Sequence, residues 1–125
     1  MKIAVIIIRI LMGLLFLMGS VIFFLNLYPK PELTGSVKLF NDGVEASVYL
    51  MPLIKSVELI FSIAFLSGRF VTLATVVIFP ITVNIMLFHS FLAPEGLPTG
   101  IFLLLGNLFL AYTYRRNYAT LMIVK

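Results

Sequence analysis

Few side chains in this sequence could do chemistry, and they stand inside long apolar segments. Lys55 and Glu58 are three residues apart, so a helix places both on one face. Asn84 and His89 belong to the next apolar segment, and Arg9 belongs to the first. Because an ionisable group inside a membrane-spanning helix is costly, it indicates function by default. These side chains are therefore the candidates for a site.

The depths of these residues can be compared from the helical rise of about 1.5 Å per residue. On that scale Glu58 lies roughly 15 Å from Gly68, which ends its segment, and Asn84 reaches the same level from the opposite side. Lys55 and His89 lie about one turn further out. We therefore predict that Lys55, Glu58, Asn84 and His89 form one connected site in the outer half of the membrane, facing the bundle interior.

Arg9 lies nearer the inner side of the membrane, but its long side chain could reach the level of Glu58. We predict a buried Arg9–Glu58 ion pair. A purely structural alternative stays open, in which this pair only holds two helices together and Lys55 extends to the outer surface. His89 equally suits a hydrogen-bonded helix end, which is commoner for a lone histidine than a ligand role.

Several kinds of chemistry are excluded by what the sequence lacks. It has no cysteine, so disulfides, thiol relays and thiolate metal sites are excluded. Its single histidine cannot supply a bis-histidine haem, and no hydrolase triad, phosphate loop or HExxH motif is present. We predict no metal site. The net charge of +4 does not indicate nucleic acid binding, because the basic residues stand at the ends of apolar segments.

The composition determines which elements must position these residues. Of the 125 residues, 62% are hydrophobic and 11% are charged, whereas about 25% are charged in soluble domains. A water-soluble fold of this length could not hide so much apolar surface, so the solvent is lipid. Four segments are long enough to cross a bilayer. They predict one all-α domain over residues 1–125, a four-helix transmembrane bundle with spans at about 3–27, 51–67, 70–91 and 99–114.

Two parts of the chain allow alternatives. The first segment could be a cleaved signal peptide, but its apolar run exceeds the ~7–15 residues usual there. Residues 28–49 form the long polar stretch, where Pro29 and Pro31 end the first helix. Apolar residues at helical spacing predict a short amphipathic interfacial helix there. Asn41-Asp42-Gly43 is also a turn signal, so two short pieces or a mobile loop remain open.

The basic residues predict an orientation. With the N-terminus inside, Lys2, Arg69, Arg115, Arg116 and Lys125 all face the cytoplasm. Positive residues collect on the cytoplasmic side of membrane proteins. We therefore expect both termini in the cytoplasm.

A string of short motifs runs in order through residues 49–118. They are Pro52-Leu53 with Glu58, Gly68-Arg69-Phe70, Pro80 with Val83-Asn84-Ile85, Phe88-His89, Pro94-Glu95-Gly96-Leu97-Pro98, and Tyr114-Arg115 with Tyr118. This pattern resembles the DoxX family of small four-helix membrane proteins. The first helix matches through Arg9, Gly13 and Gly19, but Val21 and Ile22 stand where family members often carry an Asn-Lys pair.

The resemblance implies a location in a bacterial inner membrane and, more weakly, a function. The family includes a subunit of a thiosulfate:quinone oxidoreductase and proteins of oxidative-stress complexes. It implies an accessory or quinone-interacting subunit, with redox-complex subunits as partners beside the lipid bilayer and a quinone as the possible cofactor. The chain is not expected to be an enzyme on its own. The alternatives are a scaffold or chaperone-like assembly factor and a small-solute transporter; the latter would need a homo-oligomer, because no internal repeat is present.

Overall fold

The computed structural model describes residues 2–27 and 32–124, and the regular elements in these ranges are all helical. The helices are α1 (Lys2–Leu25), α2 (Gly35–Ala46), α3 (Leu50–Ser67), α4 (Val71–Phe91), α5 (Leu97–Thr113) and α6 (Arg115–Tyr118), with 3₁₀ turns at Pro94–Gly96 and Ala119–Met122. The prediction of an all-α four-helix bundle is confirmed. Within the described ranges, α1, α3, α4 and α5 with the turn before it are long and apolar enough to cross a membrane. The protein is therefore membrane-embedded.

The ends of the four long helices lie within two residues of the predicted spans. The expectation that Pro29 and Pro31 end the first helix falls on residues 28–31, outside the described ranges. Gly68 ends α3 as its C-terminal cap, with φ at +78°, a conformation that glycine adopts without steric cost. Its N–H donates to the Ala64 carbonyl at 3.0 Å.

Within the polar stretch, α2 (Gly35–Ala46) is one continuous helix rather than two pieces. The Asn41-Asp42-Gly43 turn signal is overridden by side-chain pairs four residues apart, which stabilise a helix. Lys38 Nζ lies 2.7 Å from Asp42 Oδ2, and Asn41 donates to Glu45 at 3.4 Å. The hydrogen bond with Asp42 raises the pKa of Lys38.

Glycines let α1 approach α3 and α5 closely. A Cβ added at Gly13 would lie 2.8 Å from Leu66 Cγ, and one at Gly106 would lie 2.9 Å from Met12 Sδ. At both distances the facing side chain would have to shift to admit a Cβ, and such small residues are typical of helix contacts in membranes. Phe16 of α1 stacks against Phe65 of α3 with ring centroids 6.5 Å apart.

A tight turn at residues 68–70 makes α3 and α4 antiparallel neighbours. Arg69, Arg115 and Arg116 share this end of the bundle, which we call the basic end.

Polar side chains join α4 to α5 in the bundle interior. Asn107 is fully buried; its Nδ2 donates to the Thr75 carbonyl at 3.1 Å, and its Oδ1 lies 2.9 Å from Thr82 Oγ1. Thr82 Oγ1 is also 2.8 Å from the Phe79 carbonyl. These bonds flank Pro80, which cannot donate a backbone hydrogen bond within the helix. Through these bonds Asn107 holds α4 and α5 together.

Replacing Asn107 with Leu should lower the free energy of unfolding by about 1–2 kcal/mol, because the Thr75 carbonyl and Thr82 hydroxyl lose a buried partner. Unfolding in mixed detergent micelles measures the change. Asn117→Leu is the matched control: Asn117 donates to Thr72 at 2.9 Å but is exposed, so its loss should stay within about 0.5 kcal/mol. Equal losses from both variants would contradict the interior role of Asn107.

Candidate functional site

A cavity of about 560 Å³ opens between α3 and α4, at the end of the bundle opposite the basic end. Binding sites for small molecules commonly have about 300–1,000 Å³. We call this space the main cavity, and this end the capped end, because α2 lies across it. The walls are apolar over most of their area and are formed by Leu33, Val37, Phe40, Met51, Ile54, Pro80, Ile81, Ile85, Phe88 and Ala93. The polar lining residues are Asn41, Lys55, Glu58, Asn84, His89 and Glu95.

The packing of the bundle explains why this space exists. The turn at residues 68–70 holds α3 and α4 together at the basic end, but α1 packs mainly against α3 and α4 packs mainly against α5. The capped halves of α3 and α4 therefore leave a cleft between them. Helix α2 covers the cleft from the capped end, where the Phe40 ring lies 5.2 Å from the Phe88 ring of α4.

The deepest charged group in the cavity is Glu58. Its residue is only 4% exposed, and its Oε2 lies 3.1 Å from Lys55 Nζ. By hydrogen-bond geometry, Oε2 is buried and accepts no hydrogen bond from the described residues. Glu58 is therefore paired in charge but retains an unused acceptor. An unmet hydrogen bond at a buried charged group is costly, so a ligand that donates one would be stabilised here.

The predicted Arg9–Glu58 ion pair is not formed. The Arg9 guanidinium lies against Gly68 at the basic end, where a Cβ added to the glycine would come within 2.7 Å of Nη1. Arg9 stands only about two turns from the start of α1, so its long side chain reaches toward the nearer aqueous side. Glu58 instead pairs with Lys55 on its own helix. Gly19 of α1 lies beside Lys55: a Cβ there would lie 3.7 Å from Nζ, an ordinary van der Waals contact.

His89 is held where α4 ends and α5 begins. Its Nδ1 lies 3.0 Å from the Ala93 carbonyl oxygen, and its ring packs against Gly96. A Cβ at Gly100 would lie 3.6 Å from His89 Cδ2. Because a carbonyl oxygen only accepts, Nδ1 donates in this contact, and the tautomer with its single proton on Nδ1 has Nε2 as an acceptor. The histidine therefore combines a helix-end hydrogen bond with a place on the cavity wall.

Asn84 lies at the rim of the cavity. It lines the space but is exposed, and its side chain makes no hydrogen bond to any described residue. Lys55, Glu58, Asn84 and His89 thus surround one cavity, as a single site requires. They lie along the cleft between α3 and α4, where Glu58 is buried and Asn84 is exposed. Asn107 and its threonine partners occupy the bundle interior.

Sequence reasoning missed two features of this site. It placed α2 at the membrane surface but not over the cavity, where Val37, Phe40 and Asn41 form a wall. It also missed the role of Gly96, which leaves room for the His89 ring. The helical spacing of the apolar residues in α2 was the available signal for the first. Within the described ranges, no group of three or more potential metal ligands comes together.

Comparisons of the chain with protein-family models, with curated proteins and with solved structures find no match.

Proposed function

We propose that this protein binds the head group of an amphiphilic molecule, a quinone in the first instance, in the main cavity. We further propose that it does so as a DoxX-type accessory subunit of a redox or oxidative-stress system in the bacterial inner membrane. The observation that carries the proposal is an apolar cavity of about 560 Å³ with one buried, unsatisfied acceptor, Glu58 Oε2, on its lining. A polar cluster serving assembly alone would be packed without volume.

The lining offers both kinds of hydrogen-bonding group that a quinone couple needs. The carbonyl oxygens of a quinone accept, and the amide of Asn84 and the ammonium of Lys55 can donate to them. The hydroxyl groups of a quinol donate, and Glu58 Oε2 and His89 Nε2 can accept from them. The apolar walls suit the ring of either form.

The rim of the cavity supports entry from the lipid. Pro80 and Asn84 line the cavity and are exposed on α4, a helix of membrane-spanning length. A molecule whose tail lies in the bilayer could therefore insert its head group sideways between α3 and α4. The motifs at residues 49–118 that resemble the DoxX family support the redox context. Because the chain has no cysteine, electrons would come from a partner subunit.

Binding of a short-chain quinone to the protein in lipid nanodiscs tests the proposal. Asn84→Leu and His89→Leu should each weaken binding about tenfold, because each removes one hydrogen bond worth about 1.4 kcal/mol from the head group. Asn117→Leu, at the basic end, is the control and should bind like the unmodified protein. Unchanged affinity in both cavity variants, with the fold intact, would overturn the proposal.

A non-enzymatic scaffold or assembly factor is the second candidate. The observation that favours it is the Thr75–Thr82–Asn107 cluster, whose members are all fully or almost fully buried and bonded to one another across two helices. Under this reading, polar groups serve assembly throughout, and the cavity variants above would leave quinone affinity unchanged.

We also propose that the basic end faces the cytoplasm. Cysteines at Ser36 in α2 and Thr120 near the C-terminus test this, because both positions are exposed and the chain has no other thiol. A membrane-impermeant thiol reagent added to intact cells should label position 36 and leave position 120 unlabelled. The reverse pattern would invert the orientation.

A further inference from the structure

A second cavity, of about 640 Å³, lies among α1, α2 and the start of α3. We call it the vestibule. It is lined by Phe23, Leu33, Lys38, Asn41, Asp42, Val44, Glu45, Val48, Met51, Pro52 and Lys55. Four of these residues, Leu33, Asn41, Met51 and Lys55, also line the main cavity. The two spaces are therefore adjacent, and Lys55 stands at their boundary.

Side-chain exposure changes from the α2 wall of the vestibule to its inner end. Its α2 wall carries Lys38 and Asp42, whose side chains are 58% and 52% exposed. At its inner end, the Lys55 side chain is 23% exposed and that of Glu58 only 5%. Exposure thus falls stepwise from the polar face of α2 through Lys55 to Glu58, which lies in the main cavity.

We propose that the vestibule is a water-filled proton entrance to the main cavity, and that Lys55 passes protons between this water and Glu58. The Lys55 ammonium gives a proton to a water molecule in the vestibule, which breaks one N–H bond. The neutral amine then takes a proton from the Glu58 carboxyl group across the 3.1 Å contact, so the ammonium and a carboxylate remain. The same steps in reverse deliver a proton to Glu58.

The surroundings of Lys55 allow this exchange. The charged and titratable groups on the two cavities are Glu58 on α3, Lys38, Asp42 and Glu45 on α2, His89 on α4 and Glu95 before α5. On α1, Gly19 stands next to the Lys55 ammonium and adds neither charge nor bulk. The purpose of the route rests on the proposed function. A bound quinone becomes a quinol when it takes up two electrons from a redox partner and two protons, and the route would supply the protons. The lipid-soluble ligand would then enter between α3 and α4, and the protons would enter through the vestibule.

Cysteine labelling in nanodiscs tests the water-filled route. In this cysteine-free chain, Met51→Cys and Lys55→Cys should both react with a small cationic methanethiosulfonate reagent, and Ser62→Cys, fully buried deeper in α3, should not. Val44 lines only the vestibule, so adding Val44→Trp should slow labelling at position 51 at least tenfold. No labelling at either position, or labelling unaffected by Val44→Trp, would overturn the route.

Infrared spectroscopy after a pH jump tests the role of Lys55. The carboxyl band that disappears in Glu58→Gln reports protonation of Glu58. Lys55→Met should slow the response of this band at least tenfold, and an unchanged rate would overturn the relay. Neither experiment needs a quinone. A failure of the route therefore leaves quinone binding untouched, and a failure of quinone binding leaves the labelling pattern untouched.

Discussion

Replacing Lys55 with Met should lower the free energy of unfolding by roughly 3 kcal/mol, the low end of the roughly 3–5 kcal/mol cost of removing one partner from a buried ion pair. The substitution leaves the Glu58 carboxylate, whose side chain is only 5% exposed, without a cation. The low end applies because Lys55 is itself 23% exposed and the carboxylate can take up a proton. Equilibrium unfolding in mixed detergent micelles gives the value.

A double-mutant cycle identifies the partner. Glu58→Gln should cost less than Lys55→Met, because the released ammonium can turn toward the vestibule. The double variant should be more stable than the sum of the two losses predicts. Arg9→Gln combined with Glu58→Gln is the control and should be additive, since Arg9 lies at Gly68. Additive losses for the Lys55–Glu58 pair, or coupling to Arg9, would contradict the assignment.

Replacing Gly96 with Ala should disturb the His89 side of the main cavity. The new Cβ would fall inside contact distance of the His89 ring, which would have to leave the Ala93 carbonyl. Overpacking of this kind typically costs about 1–3 kcal/mol. Loss of the correctly placed histidine should also weaken quinone binding about tenfold, the value of one hydrogen bond.

Gly43→Ala provides the matched control for this substitution. A Cβ at Gly43 in α2 meets nothing within 4 Å. Alanine in a helix is favoured over glycine by roughly 0.5–1 kcal/mol, so this variant should be slightly more stable and bind normally. If Gly96→Ala behaves like Gly43→Ala in both unfolding and binding measurements, the histidine does not depend on the space beside Gly96.

Much of the fold followed from apolar patterning and helix-ending residues. Gly68 was expected to cap α3, and its left-handed backbone does so. The spacing of Lys55 and Glu58 placed both on one face, and they are in contact. Local spacing on one helix is fixed by helical geometry, which is why such predictions hold.

The remaining features depend on tertiary packing. The depth of Arg9 could be estimated, but not the direction of a side chain long enough to reach either Glu58 or the basic end. Asn84 lines the same cavity as Glu58, yet the polar residues of α4 are not confined to one face, so its pattern does not predict which face turns inward. The helical spacing of the apolar residues in α2 predicted an apolar face. It did not predict which part of the protein that face covers.

Photo-crosslinking in lipid nanodiscs tests the main cavity most directly. A quinone that carries a photoreactive group on its ring would be bound to the unmodified protein, irradiated, and mapped by peptide mass spectrometry. The account predicts adducts on residues 51–58, on residues 80–89 and on α2, with loss of these adducts when excess unlabelled quinone competes. Adducts spread over outward-facing residues such as Ile60 and Leu105, and insensitive to competition, would contradict it.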